Sequence, residues 1–256
     1  MSVHGPEDKA PFLEHLEELR KRLIICLAAV AVGFVISYGF KEKIFEILML
    51  PLVNALPSGQ GKHLIYTAPH EAFLTYLKVS LLGGIALAIP VIIFEFWRFV
   101  APGLYEHEKK YLFPIVILSV LFFLGGALFG YFVVFPFGFR FFVSFASPHI
   151  VPMISTREFF SFAVRLLLVF GLIFEMPLVV FFMARLGLIS DNFLRRQRKY
   201  AIVLVFTVAA ILTPPDVMTQ LFMAGPLLVL YELSVWIAYF FSKKDVKGEE
   251  QNGEVS

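Results

Sequence analysis

The stretch Gly171-Leu-Ile-Phe-Glu-Met-Pro177 decides how this chain is read. It lies inside Phe159–Leu186, a largely apolar run long enough to cross a bilayer, and sets the carboxylate of Glu175 near its middle. A charge at the bilayer centre costs roughly 2.5–3.5 kcal/mol on insertion scales, so such a residue faces protein or water and by default serves function. Pro177 removes a helix hydrogen bond and predicts a kink beside Glu175. The plainer alternative is a protonated Glu that only packs between helices.

Composition sets the class. The chain is 59% hydrophobic and 16% charged, with a mean hydropathy of +0.80, unlike a soluble globular domain. It has 31 Phe and only 2 Trp, which suits lipid-facing helices. The net charge of +2 comes with no basic patch interleaved with aromatics, so a nucleic-acid partner is not expected. Cys26 is the single cysteine, which excludes an internal disulfide or a clustered-Cys metal site. It reads as a small buried hydrophobe.

Crossing a hydrocarbon core of about 30 Å takes about 20 helical residues. The predicted spans are Leu23–Phe40, Ala72–Trp97, Tyr111–Phe137, Phe159–Arg185, Tyr200–Leu212 and Val217–Phe241. The expected fold is therefore an all-α integral membrane protein of six transmembrane helices. Residues 1–256 form a single membrane domain, with a cytoplasmic N-terminus at 1–22 and a polar tail at 242–256. The first span is not read as a cleaved signal peptide, because Glu14, Glu17 and Glu18 flank it and its apolar stretch is too long. Tyr200–Leu212 reaches only about 20 Å as a helix. Thr213-Pro214-Pro215-Asp216 then turns the chain into the last span. Such a mismatch is met by thinning the lipid or by burial against protein, unless Arg198 and Lys199 snorkel and extend the span.

Orientation follows from Lys and Arg. With six spans, one side holds Lys9, Arg20, Lys21, Arg22, Arg98, Lys109, Lys110, Arg185, Arg195, Arg196, Arg198, Lys199, Lys243, Lys244 and Lys247. The other holds Lys41, Lys43, Lys62, Arg140 and Arg157. Fifteen against five places both termini in the cytoplasm. Among the outer segments, Ile44–Leu50 is apolar enough to lie on the membrane or cap a groove, before Pro51, Pro57, Gly59 and Gly61 break the chain.

Two cytoplasmic segments carry further signal. Phe12, Leu13, Leu16, Leu19 and Leu23 recur at helical spacing, with Glu14, His15, Glu17, Glu18 and Arg20 between them. This predicts an amphipathic helix lying on the inner membrane surface and running into the first span, acting either as a charged anchor or as a ligand surface. The loop from Phe94 to Tyr111 mixes aromatics with Pro102-Gly103 and the carboxylates Glu106 and Glu108. Carboxylates there suit an Arg-bearing ligand, because a guanidinium fork matches a carboxylate bidentately. The alternative is a local ion pair with Lys109 or Lys110, worth little when exposed.

Five motifs in order resemble the TatC family, the multispanning subunit of the twin-arginine protein translocase. They are Leu16-Glu-Glu-Leu-Arg-Lys-Arg-Leu23, Phe99-Val-Ala-Pro-Gly-Leu-Tyr-Glu-His-Glu108, Tyr131-Phe-Val-Val-Phe-Pro136, Phe174-Glu-Met-Pro177 and Leu212-Thr-Pro-Pro-Asp216. The resemblance extends from about Phe12 to Phe241. It implies a glove- or cup-shaped bundle with a concave groove in the bacterial inner membrane. It also implies a receptor for twin-arginine signal peptides of folded cargo. Such a receptor works with single-span partners of the TatA and TatB type, associates with itself and draws on the proton-motive force, without a cofactor. By the same resemblance, Glu18 and Glu108 contact the arginine pair, and Arg20, Phe99, Pro102 and Tyr105 share that surface. Glu175 faces the intramembrane groove, Thr213 and Gln220 meet a partner helix, and Pro51 and Asp216 serve transport. Glu17 beside Glu18 leaves open which carboxylate pairs with arginine.

Two other classes compete. A secondary transporter would use Glu175 as its proton or substrate site, but no internal repeat is visible. An intramembrane enzyme is not expected: neither His107-Glu-Lys-Lys-Tyr111 nor His70-Glu-Ala-Phe-Leu74 completes H-E-x-x-H. No P-loop or nucleophile elbow is present either.

Overall fold

The structure is a computed structural model that describes residues 9–55, 64–66, 68–100, 112–147, 149, 153–213 and 216–241. The described residues are helical, apart from short connections and one isolated bridge between Ile65 and Ser155. Five helical stretches among them are long and apolar enough to cross a bilayer: Glu14–Gly39, Glu71–Val100, Phe113–Val143, Thr156–Arg185 and Val217–Phe241. The chain divides into two compact units, Met1–Gly171 and Leu172–Ser256.

In the first unit, α1 (Lys9–Gly39) is one continuous helix of 31 residues. The amphipathic start and the first apolar run therefore share an axis about 46 Å long. α1 packs chiefly on α3 (Glu71–Val100). Small residues bring the two backbones together, as is usual between helices in lipid. A Cβ added to Gly33 would lie 2.6 Å from the Gly84 carbonyl oxygen, and one on Gly84 would lie 2.6 Å from the Phe34 nitrogen. Buried Ser37 lies beside Gly83 one turn further along.

The apolar segment Ile44–Leu50 belongs to a helix of its own, α2 (Lys41–Ala55), which buries Leu48, Pro51 and Leu52 and continues through Pro51, where the sequence predicts a break. This i, i+3, i+4 spacing gives it one packing face, and α2 contacts α3 and α5 (Phe135–Val143). The third apolar run extends past the expected Phe137 to Val143, as α4 (Leu112–Phe129), a π turn at Gly130–Val134, and α5. Pro136 explains the wide turn. It lacks an N–H and crowds the carbonyl four residues back, and Phe135 donates instead to the Gly130 carbonyl five residues back. Within the turn, Tyr131 donates its hydroxyl to the Ile47 carbonyl of α2. α6 (Thr156–Phe174) contributes Phe159 and Phe160 to an aromatic core. Phe135 meets Phe159 edge-on at 5.4 Å, and Phe45 stacks on Phe160 at 4.6 Å. Such pairs add about 0.5–1.5 kcal/mol beyond their buried area. At the start of α6, Thr156 donates both N–H and hydroxyl to the Ile65 carbonyl, at 2.8 and 2.9 Å.

The second unit opens at the predicted break. α6 ends at Phe174, Glu175 stands between helices, and α7 (Met176–Arg185) begins with Pro177 in its first turn. The proline has no N–H to continue the ladder. Gly187 ends α7 at φ +75°, the left-handed conformation a glycine adopts most readily. α8 is longer than its apolar part. It spans Asp191–Leu212, capped by the Ser190 hydroxyl, which accepts from the Phe193 N–H at 3.3 Å. The sequence reading placed its start at Tyr200. The polar turns before that residue extend the helix without adding apolar length, so α8 is not among the five long apolar stretches. α9 (Val217–Phe241) packs on α7 and α8 around Val180, Ala184, Leu194, Tyr231, Val235 and Ala238. The Tyr231 hydroxyl donates to the Leu194 carbonyl at 2.6 Å.

Candidate functional site

The end of the α1–α3 pair carries the densest charge network among the described residues. His15, Glu18 and Arg22 fall at i, i+3 and i+7 on α1, the spacing that puts side chains on one helical face. The last turns of α3 supply Glu95, Arg98 and Phe99. Phe94–Val100, grouped by sequence with the following loop, is helical, and this continuation aims Glu95 at α1.

Arg22 is the centre of the network. Its Nη1 donates to Glu95 Oε2 at 3.0 Å, and its Nη2 donates to Glu18 Oε1. Arg22 is 12% exposed and Glu95 only 7%, whereas Glu18 is 35% exposed. The inner pair is thus buried, where loss of one partner costs about 3–5 kcal/mol. The outer pair opens toward solvent. Arg98 adds a weak contact, 4.0 Å from Glu95 Oε1 and largely exposed. His15 Nδ1 lies 3.9 Å from Glu18 Oε2, beyond hydrogen-bond reach, and the His15 ring stacks on Phe99 at 4.3 Å. Buried Trp97 donates its Nε1 hydrogen to Ser119 Oγ at 2.8 Å and ties α3 to α4 beneath this end.

Of the residues expected from sequence at this surface, Glu18 and Phe99 come together here, linked through His15. Arg20 is exposed on α1, and Glu17 is exposed beside Glu18. Pro102, Tyr105 and Glu108 lie outside the described residues. Sequence reasoning missed Arg22 and Glu95. The i, i+4 spacing of Glu18 and Arg22 was a usable signal. So was the lone carboxylate in Ile92-Ile-Phe-Glu-Phe-Trp97.

The remaining candidates take local positions. Glu175 is half-buried at the α6–α7 break, and its carbonyl accepts from the Leu178 and Val179 N–H groups at 3.0 and 2.9 Å. Asp216 caps α9: Oδ1 accepts from the Thr219 N–H at 2.7 Å, and Oδ2 accepts from the Thr219 hydroxyl. Gln220 Nε2 donates to the Phe206 carbonyl of α8 at 3.0 Å, and the buried Thr213 hydroxyl donates to the Ala209 carbonyl at 3.0 Å. Only the Gln220 bond crosses from α9 to α8; the Thr213 and Asp216 bonds close the adjoining helix ends. Pro51 is buried in α2. Among the described residues, no group of three or more His, Cys, Asp or Glu side chains could hold a metal ion.

These features define a polytopic helical membrane protein with a carboxylate–guanidinium site at the end of one helix pair. The family described as Sec-independent protein translocase protein (TatC) matches residues 14–226. The chain is 55% identical over 250 residues to the TatC of Desulforapulum autotrophicum, covering 98% of this chain and 92% of that one. It is 40% identical over 236 residues to the TatC of Aquifex aeolicus, covering 91% and 97%. A crystal structure of the twin arginine translocase receptor TatC superposes with a TM-score of 0.80 at 41% identity, covering 88% of this chain and 97% of that one. The chain belongs to the TatC family, a family of translocase proteins rather than of enzymes.

Proposed function

We propose that this chain is the receptor subunit of a twin-arginine translocase. It binds twin-arginine signal peptides at the cytoplasmic face of a bacterial inner membrane. With single-span partners of the TatA and TatB type, it supports export of folded proteins driven by the proton-motive force. The observation that carries this reading is Glu18: a partly exposed carboxylate on α1, with only Oε1 bonded to Arg22 and the His15–Phe99 stack beside it. A guanidinium binds a carboxylate through a planar fork that an ammonium cannot reproduce, so paired Arg is preferred to paired Lys.

In this reading Glu108 takes the second arginine, and Arg20, Phe99, Pro102 and Tyr105 complete the surface. Glu175 sets register with a polar group of a partner helix inside the membrane. Thr213 and Gln220 mark a partner contact at the α8–α9 hairpin, and Pro51 and Asp216 serve transport on the outer side. α8 supplies a sixth, short crossing, so that both termini lie in the cytoplasm, in accord with fifteen Lys and Arg against five.

The test is photocrosslinking of a twin-arginine signal peptide to the chain in membranes containing the partner subunits. The native protein is compared with Glu18→Ala plus Glu108→Ala, and a twin-lysine peptide is the control. Crosslinks that require paired Arg and vanish in the double variant support the receptor. An intact protein without any Arg-dependent crosslink refutes it and favours the transporter reading centred on Glu175.

A further inference from the structure

Given the receptor reading above, on which this rests, we propose that Glu95 is a positioning residue. It holds one end of the Arg22 guanidinium and so limits Arg22 to a single bond with Glu18, leaving the second carboxylate oxygen for the incoming guanidinium.

Glu95 and Arg22 lie 73 positions apart in sequence and meet only through the packing of α1 on α3. The guanidinium of Arg22 is shared, with one Nη on Glu95 and the other on Glu18. Its Nε is buried without a partner among the described residues, so neither carboxylate receives the two-bond fork that a dedicated pair makes. Glu18 therefore bonds Arg22 through Oε1, while its Oε2 lies 3.9 Å from His15 Nδ1, beyond hydrogen-bond reach.

Charge decides the consequence. Arg22 and the two carboxylates together carry one net negative charge, and the exposed carboxylate is Glu18. Without the charge of Glu95, Arg22 has one carboxylate left. The Nη group released from Glu95 can then turn to Glu18 as well, so that Arg22 competes with an arriving arginine through both of its Nη groups. Buried Glu95, at 7% exposure, is itself out of reach of a ligand. It acts through Arg22.

The experiment titrates a fluorescent twin-arginine peptide into membranes holding the full chain and its partner subunits, with a twin-lysine peptide in parallel. Glu95→Gln, Arg22→Gln and the double variant are compared at equal accumulation. Glu95→Gln is expected to weaken Arg-dependent binding roughly threefold or more, by loss of one charge near the site. Arg22→Gln is expected to tighten it, because Glu18 loses its internal competitor. The double variant removes competitor and counterweight together, and is expected to return binding to within about twofold of native.

Two singles of opposite sign are what a purely structural pair would not produce, since breaking such a pair from either side weakens binding. Native-like binding by Glu95→Gln overturns the proposal. So does weakened binding by Arg22→Gln, or a double variant no better than Glu95→Gln. If one single variant does not accumulate, the other single and the double still decide the sign. A native chain with no preference for paired Arg is a different failure. It refutes the receptor reading itself, and this role for Glu95 falls with it.

Discussion

Gly84→Ala is expected to loosen α1 from α3. The added Cβ would lie 2.6 Å from the Phe34 nitrogen, 2.8 Å from its Cα and 3.0 Å from the Gly33 carbonyl carbon, all backbone atoms. Comfortable contact between such atoms begins near 3.5 Å. The two helices must therefore separate by about 0.7–0.9 Å, because no side chain can rotate away. Overpacking of this kind costs roughly 1–3 kcal/mol. α1 has little else to hold it, since only 11% of the apolar window in Glu14–Gly39 is buried. A parallel shift of this size would stretch the 3.0 Å Arg22–Glu95 bond to nearly 4 Å, beyond hydrogen-bond range. The assay is thermal unfolding of the purified chain in detergent, read beside limited proteolysis in α1. Gly125→Ala serves as the control, because its Cβ meets nothing within 4 Å. Gly84→Ala should melt several degrees lower and expose α1, while Gly125→Ala should not. Equal melting of the two variants would refute a close backbone approach at Gly33 and Gly84.

Asp216→Ala should destabilise the α8–α9 hairpin by about 1 kcal/mol, the usual cost of losing an N-cap. Asp216→Asn keeps an acceptor for the Thr219 N–H at 2.7 Å, so transport lost in both variants would show that charge, not capping, is needed. Glu175→Ala is expected to weaken crosslinking to single-span partners more than binding of signal peptide, since interhelical polar bonds in lipid average about 0.6 kcal/mol. Unchanged partner crosslinking in that variant would sink the assignment. Adding four apolar residues within Tyr200–Leu212 lengthens its apolar part by about 6 Å. If local thinning of the bilayer is required, transport should fall, and full export by the extended variant would argue against thinning.

Much of the fold was legible because its causes are local. Pro177 lacks an N–H wherever it sits, so the break at Glu175 followed from the chain. The helical spacing of the N-terminal leucines predicted a helix leading into the first span, and α1 is helical there, but it continues straight into the span instead of forming a separate surface segment. The turns of α8 before Tyr200 were missed, because a search for apolar runs discards charged helical residues even where Ser190 caps them. The π turn at Gly130–Val134 likewise left no apolar signature, although Pro136 was its cause.

The functional residues divide along the same line. The carboxylate of Glu18 on an amphipathic helix was visible in the sequence, whereas Glu95, set among the aromatics at the end of a span, was passed over. Their connection through Arg22 was not visible, because Arg22 and Glu95 are 73 positions apart. They meet only where Gly33 and Gly84 let two backbones touch. Composition, hydropathy and proline placement act through each residue's own solvation and sterics, so the sequence by itself determined the long apolar helices, the membrane class and the family. Which charge neutralises which depends on distances of a few ångströms between segments remote in the chain, and only the packing of α1 on α3 decided that.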